Sequence, residues 1–190
     1  MVTPSESYAA RLDIDYFEEH DRFTTFLRLI WAIPAFIILC ALGSGLFFAT
    51  LLMIVFRVRY PRWWFDFSRE FTRFATRVGA YVALLTDQYP STVDEQSVHL
   101  EIDYPDVEQD LHRWMPLVKW FLAIPHYVVL AFLVVGAVVV WIIAWFAILF
   151  TGSYPRGLFD YMVGVTRWAL RVEAYAVLLV TDEYPPFSLQ

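Results

Sequence analysis

Two stretches of the chain carry no charged residue for longer than the core helix of a water-soluble domain requires. Leu29 to Phe56 gives 28 such residues and Trp120 to Pro155 gives 36, with His126 the one titratable group in the second besides its tyrosines. About 20 apolar residues cross a hydrocarbon core of roughly 30 Å, so the pattern predicts transmembrane helices over about 29–56 and 117–150. The first run starts too late, follows too acidic a segment and is too long to be a signal peptide. Each run has an early proline, in Ala32-Ile33-Pro34 and Ala123-Ile124-Pro125. Proline lacks an amide donor and disfavours helix at the residue before it. A short interfacial helix is therefore expected ahead of each proline, with the span proper after it. Trp31, Trp114 and Trp120 suit the headgroup level, while Gly43, Ser44, Gly45, Ala49 and Gly136-Ala137 offer small surfaces for helix approach.

Ahead of each run lies an alternating segment, Ala10, Leu12, Ile14, Tyr16 and then Val98, Leu100, Ile102, Tyr104, with polar residues between. Period two predicts strands over 8–16 and 97–104. Behind each run a Tyr-Pro-Arg turn opens a second helix, over 62–86 and 156–181, that a Thr-Asp-x-Tyr-Pro segment ends. Arg62, Asp66, Arg69, Arg73 and Arg77 recur at helical spacing among aromatic residues, and Arg156, Asp160, Arg167 and Arg171 repeat the stripe with Glu173 nearby. An arginine at the bilayer centre costs about 2.5–3.5 kcal/mol by insertion scales. Such helices are expected to be partly inserted, with the stripe towards protein or headgroups, in preference to lying flat.

The two halves repeat each other. Leu12-Asp13-Ile14-Asp15-Tyr16 matches Leu100-Glu101-Ile102-Asp103-Tyr104 at an offset of 88, and Ala-Ile-Pro recurs at 91. Tyr60-Pro61-Arg62 recurs as Tyr154-Pro155-Arg156 at 94, Arg73 and Arg77 fall on Arg167 and Arg171 at the same offset, and Thr86-Asp87-Gln88-Tyr89-Pro90 recurs as Thr181-Asp182-Glu183-Tyr184-Pro185 at 95. Residues 1–90 and 91–190 are thus tandem copies. The lone strands are expected to pair, one from each copy, on one side of the membrane. That arrangement implies about four membrane helices and two parallel, rather than inverted, repeats.

Composition strengthens the membrane reading: hydrophobic residues are 59% and charged residues 18%, against roughly 45–50% and 25% in soluble domains. A net charge of −6 leaves no basic face for nucleic acid. Nine of the fourteen Lys and Arg residues follow the apolar runs, which would place the Tyr-Pro-Arg turns in the cytoplasm. Five of the nine lie inside the second helices, however, and orientation stays open.

Candidate chemistry is sparse. His20, His99, His112 and His126 share no metal-ligand spacing with each other or with Cys40, the one cysteine. The acids Glu101, Asp103, Asp106, Glu108 and Asp110 lack the spacing of a calcium loop and read as a solvated face. His126 is a conceivable haem or quinone contact without a second ligand. No nucleophile elbow, phosphate loop or dinucleotide fingerprint occurs, so no enzyme activity, metal or cofactor is expected. The best candidates are Arg62, Arg73, Arg77, Arg156, Arg167 and Arg171. They either bind lipid phosphate, with a bound phospholipid possible, or pair with Asp66, Asp160 and Glu173 to fix the helices.

The second copy carries Trp120-Phe121-Leu122-Ala123-Ile124-Pro125-His126, Tyr154-Pro155-Arg156-Gly157-Leu158-Phe159-Asp160 and Thr181-Asp182-Glu183-Tyr184-Pro185-Pro186-Phe187-Ser188-Leu189. In these motifs it closely resembles a bacterial integral-membrane family catalogued as a domain of unknown function. The first copy is diverged, with Phe56-Arg57-Val58-Arg59 where the pattern has Phe-Thr-Gly and Ala35 in place of the histidine. The resemblance implies a multi-pass location in the bacterial cell membrane and no particular activity. The expectation is an all-α membrane protein that is non-catalytic, a structural or accessory subunit held by the lipid bilayer and by other membrane subunits or copies of itself. The alternative is an anion or small-solute transporter lined by the arginine stripes.

Overall fold

The computed structural model describes residues 8–43, 45–57, 59–106 and 111–190. Ser44, Val58, Glu108 and Asp110, which entered the sequence argument, lie outside them. The protein is mostly helical and built from two repeats. Strand β1 (Ala10–Ile14) leads to α1 (Arg22–Gly43), α2 (Leu46–Arg57) and α3 (Arg62–Val82). Strand β2 (Val98–Ile102) leads through a 3₁₀ turn (Met115–Leu117) to α4 (Lys119–Leu122), α5 (Ile124–Thr151) and α6 (Arg156–Ala176).

The strands pair antiparallel with Leu12 opposite Leu100, Ala10 opposite Ile102 and Ile14 opposite Val98. Leu12 and Leu100 are equivalent residues of the two repeats, so an approximate two-fold axis passes between them, perpendicular to the ribbon. All six of these apolar side chains are buried on one face. Arg11, Asp13, His99 and Glu101 stand on the other, as period two dictates.

Three layers follow. The ribbon packs on α3 and α6, α1 packs on α3, and α5 packs on α6. The small residues mark the close approaches: a Cβ on Gly43 would meet Phe71 of α3 at 3.2 Å, and one on Gly136 would meet Tyr161 of α6 at 2.5 Å. Two segments, Arg22–Arg57 and Ile124–Thr151, are long and apolar enough to cross a membrane. Only 18% and 6% of their most apolar windows are buried by the rest of the protein, which is not how a soluble core helix behaves.

Several expectations change. In the second repeat α4 stops before Pro125, and α5 takes the proline into its first turn, where its missing amide costs nothing. In the first repeat α1 runs unbroken through Pro34. The second helices end at Val82 and Ala176 rather than at 86 and 181, because Leu84 and Leu179 turn the chain with φ of 66° and 59°. Both leucines are fully buried, so packing holds a backbone conformation that side chains rarely adopt.

The parallel arrangement of repeats is not what forms. The His20 amide, just ahead of α1, donates to the Gly152 carbonyl just after α5 (2.8 Å), and Phe26 meets Trp145. At the opposite end Arg113, ahead of α5, donates to the Val55 carbonyl near the end of α2 (2.7 Å). The long helices therefore run antiparallel, and the two-fold axis lies across them rather than along them. Pairing of the strands does not force parallel repeats, since a two-fold normal to the ribbon serves equally well.

Candidate functional site

The edges of a two-stranded ribbon expose carbonyls that need donors. The Asp15 amide bonds to Ser97 O and the Asp103 amide to Ala9 O, so odd-numbered residues pair across the ribbon and the Leu12 and Leu100 carbonyls point outwards. Arg73 of α3 donates to Leu100 O at 3.3 Å, and Arg167 of α6 donates to Leu12 O at 2.9 Å. Each helix thus holds the strand of the other repeat. The exchange extends to the turns: Tyr16 donates to Tyr154 O and Tyr104 to Tyr60 O, both at 2.6 Å. Arg156 lies over the Tyr16 ring and Arg62 over the Tyr104 ring, both at 4.4 Å.

The partner arginines look the other way. Arg77 donates to Ser91 O at 2.6 Å, and Arg171 donates to Ser188 O at 3.3 Å and to Gln190 O. All six candidate arginines therefore have internal partners, and Arg73 and Arg167 sit on opposite ribbon edges rather than along one path. Of the acids expected to pair with them, Asp66 lies 3.9 Å from Arg62, and Asp160 lies 3.2 Å from Arg156. Glu173 joins no ion pair among the described residues. Glu70 does, at 2.7 Å from Arg73.

One difference between the repeats bears on the arginines. Glu70 is replaced in the second copy by Gly164, where a Cβ would strike Leu189 at 2.9 Å. Leu189 packs where the first copy keeps its carboxylate. Beside it a groove of about 790 Å³ opens between β1 and α6, lined by Arg11, Arg156, Arg167 and Arg171 against only Asp13 and Asp160.

A second set of polar groups went unnoticed in the sequence. Arg28, almost wholly buried, meets Asp87 and Thr86 O and lies 4.6 Å from the Tyr81 ring centre. Lys119, fully buried, meets Asp182 at 2.7 Å and Thr181 O at 2.8 Å, and lies 5.2 Å from the Tyr175 ring centre. The amides of Asp21 and His112 donate to the two carboxylates at 2.8 and 2.6 Å. Each Thr-Asp-x-Tyr-Pro segment is thereby locked to the start of its own repeat's apolar run. Burial disfavours the charged form of Asp87, but His20, the Asp21 amide and Arg28 outweigh it and hold the carboxyl down at about 2. The signal was available: Arg28 and Lys119 share the offset of 91 found at Ala-Ile-Pro.

His126 is fully buried, accepts a hydrogen bond from Trp168 Nε1 at 3.1 Å and stacks on Phe187 at 4.0 Å. In the first copy Ala35 packs on Phe74 at the equivalent place, so histidine and tryptophan are replaced together. The two pairs fill equivalent places in the packing, while His126 Nε2 has no hydrogen-bond partner among the described residues. Among the described residues no three His, Cys, Asp or Glu side chains gather as a metal would require.

No curated protein and no solved structure matches this chain. A family match covers residues 22–93 and again 113–188, most of both repeats but neither strand. The chain accordingly belongs to the family described as Domain of unknown function (DUF4389), carried twice in tandem.

Proposed function

We propose that the protein is a non-catalytic membrane scaffold, an accessory subunit of a bacterial membrane assembly that holds anionic lipid at its arginine groove. One observation carries this reading: the outer surfaces of α1, α2 and α5 are apolar and exposed, while the six arginines of the two stripes have partners within the fold. Exposed apolar surface on this scale marks lipid or protein contact. In this reading α3 and α6 are the other two membrane-embedded helices, inserted only on the side that meets α1 and α5, with their arginines at headgroup level.

Mass spectrometry of the complex extracted from native membranes tests it. Partner subunits or further copies should accompany the chain, together with anionic phospholipid. Arg62 and Arg156 are matched probes, with side chains 64% exposed and equivalent tyrosine contacts. Only Arg156 lines the groove, so Arg156→Gln should cut retained anionic lipid about tenfold, as loss of a charge-assisted hydrogen bond does, and Arg62→Gln should not. A lone, lipid-free chain would defeat the proposal.

A further inference from the structure

The antiparallel course of the long helices decides how the protein can meet a bilayer. By symmetry the start of α1 at Arg22 and the approach to α5 at Arg113 lie at the same height along the two-fold axis, and α2 and α5 end at a common height. Since α1 begins beside the end of α5, and α2 ends beside the approach to α5, those heights coincide. The long helices therefore lie perpendicular to the axis. The same axis runs through the ribbon between Leu12 and Leu100, so the ribbon covers one side of the helical layers and α1, α2 and α5 form the opposite side.

Charge follows this division. The ribbon turns Asp13, Glu101 and Asp103 outwards, with side chains 78%, 73% and 57% exposed. The far side shows Phe36, Phe48, Phe132 and Phe150. If α5 stood upright across the bilayer, the axis would lie in the membrane plane at mid-depth. The charged ribbon would then face sideways into hydrocarbon, where each charge costs about 2.5–3.5 kcal/mol even on the lenient insertion scale. Laid flat, the same molecule keeps every ribbon charge in water, and its arginines meet phosphates. A flat α5 also explains its own burial. His126, Leu130, Ala144 and Ile148 form a narrow buried stripe towards protein, while the flanks and underside of the helix are apolar and meet acyl chains.

We infer that the protein lies in the plane of one leaflet, its partner the acyl chains of that leaflet, with the ribbon, both turns and both helix ends in the water on the same side. The inference rests on the membrane placement proposed above and replaces upright spans with an in-plane slab, the disposition of an amphipathic element whose apolar face sits in the headgroup–acyl boundary.

Cysteine accessibility separates the two dispositions. In full-length protein with Cys40→Ser, three exposed positions are substituted singly: Glu101→Cys on the ribbon, His112→Cys ahead of α5 and Ser153→Cys after it. Membrane vesicles of opposite sidedness are treated with a membrane-impermeant maleimide. All three thiols should react from one side and be protected from the other by at least tenfold. Reaction of His112→Cys and Ser153→Cys from opposite sides overturns the inference, as does a Glu101→Cys that reacts from neither side. Either result leaves the scaffold proposal standing if alkaline carbonate still fails to release the chain. Release by carbonate would refute the membrane placement itself.

Discussion

At the scale of single residues, the buried cations and their carboxylates determine how firmly each repeat closes. Arg28 is 1% exposed, and without Asp87 its charge is left uncompensated on one side. Asp87→Asn should cost about 3–5 kcal/mol, the usual consequence of breaking a buried pair from one end, read as thermal unfolding in detergent. Acid should act on the same pair. The carboxyl is held at about 2 in the folded protein against 3.8 ordinarily. Because the folded value is the lower one, the stabilisation is complete above about pH 4 and fades as pH falls through 2. The amount at stake is roughly 2 kcal/mol by linkage. An unfolding temperature that is flat from pH 5 to 2 would show that the pair contributes nothing. The arginine stripes and their repetition were legible in the sequence because they recur at helical spacing. Their partners were not: Arg73 meets Leu100 and Arg167 meets Leu12 only because the strands change places, and no local spacing records that exchange.

At the scale of elements, period two found both strands, and the charge-free runs found the long helices, since one-sided burial and long apolar surfaces leave direct traces in side-chain type. Helix ends were less legible. Leu84 and Leu179 adopt a left-handed backbone that their residue type argues against, and Pro34 is absorbed by a helix it was expected to interrupt. Tertiary packing overrides local preference in each case. Strand exchange also makes the repeats interdependent. Residues 1–93 and 94–190, produced separately, should each fail to form a stable folded species in detergent. Produced together, they should co-purify as a one-to-one complex that unfolds cooperatively. An isolated half that is monomeric and as stable as the full chain would show that the crossed bonds between ribbon, turns and helices are incidental.

At the scale of the whole molecule, one surface is polar and the other is apolar, and the two-fold axis runs from one to the other. Composition pointed towards a membrane but said nothing of how the chain would be disposed in a bilayer. The disposition proposed above rests on which helix end lies beside which. Family membership adds the tandem arrangement and no activity, so the account stands on the apolar face meeting lipid. The most direct check uses the native sequence, because the single cysteine, Cys40, is exposed on α1. In freeze-thawed membranes open on both sides, a membrane-impermeant maleimide should leave Cys40 unmodified, since neither the reagent nor a thiolate enters hydrocarbon; full modification should follow once the membrane is dissolved in denaturing detergent. Prompt modification of Cys40 in the intact membranes would place that face in water and contradict the account.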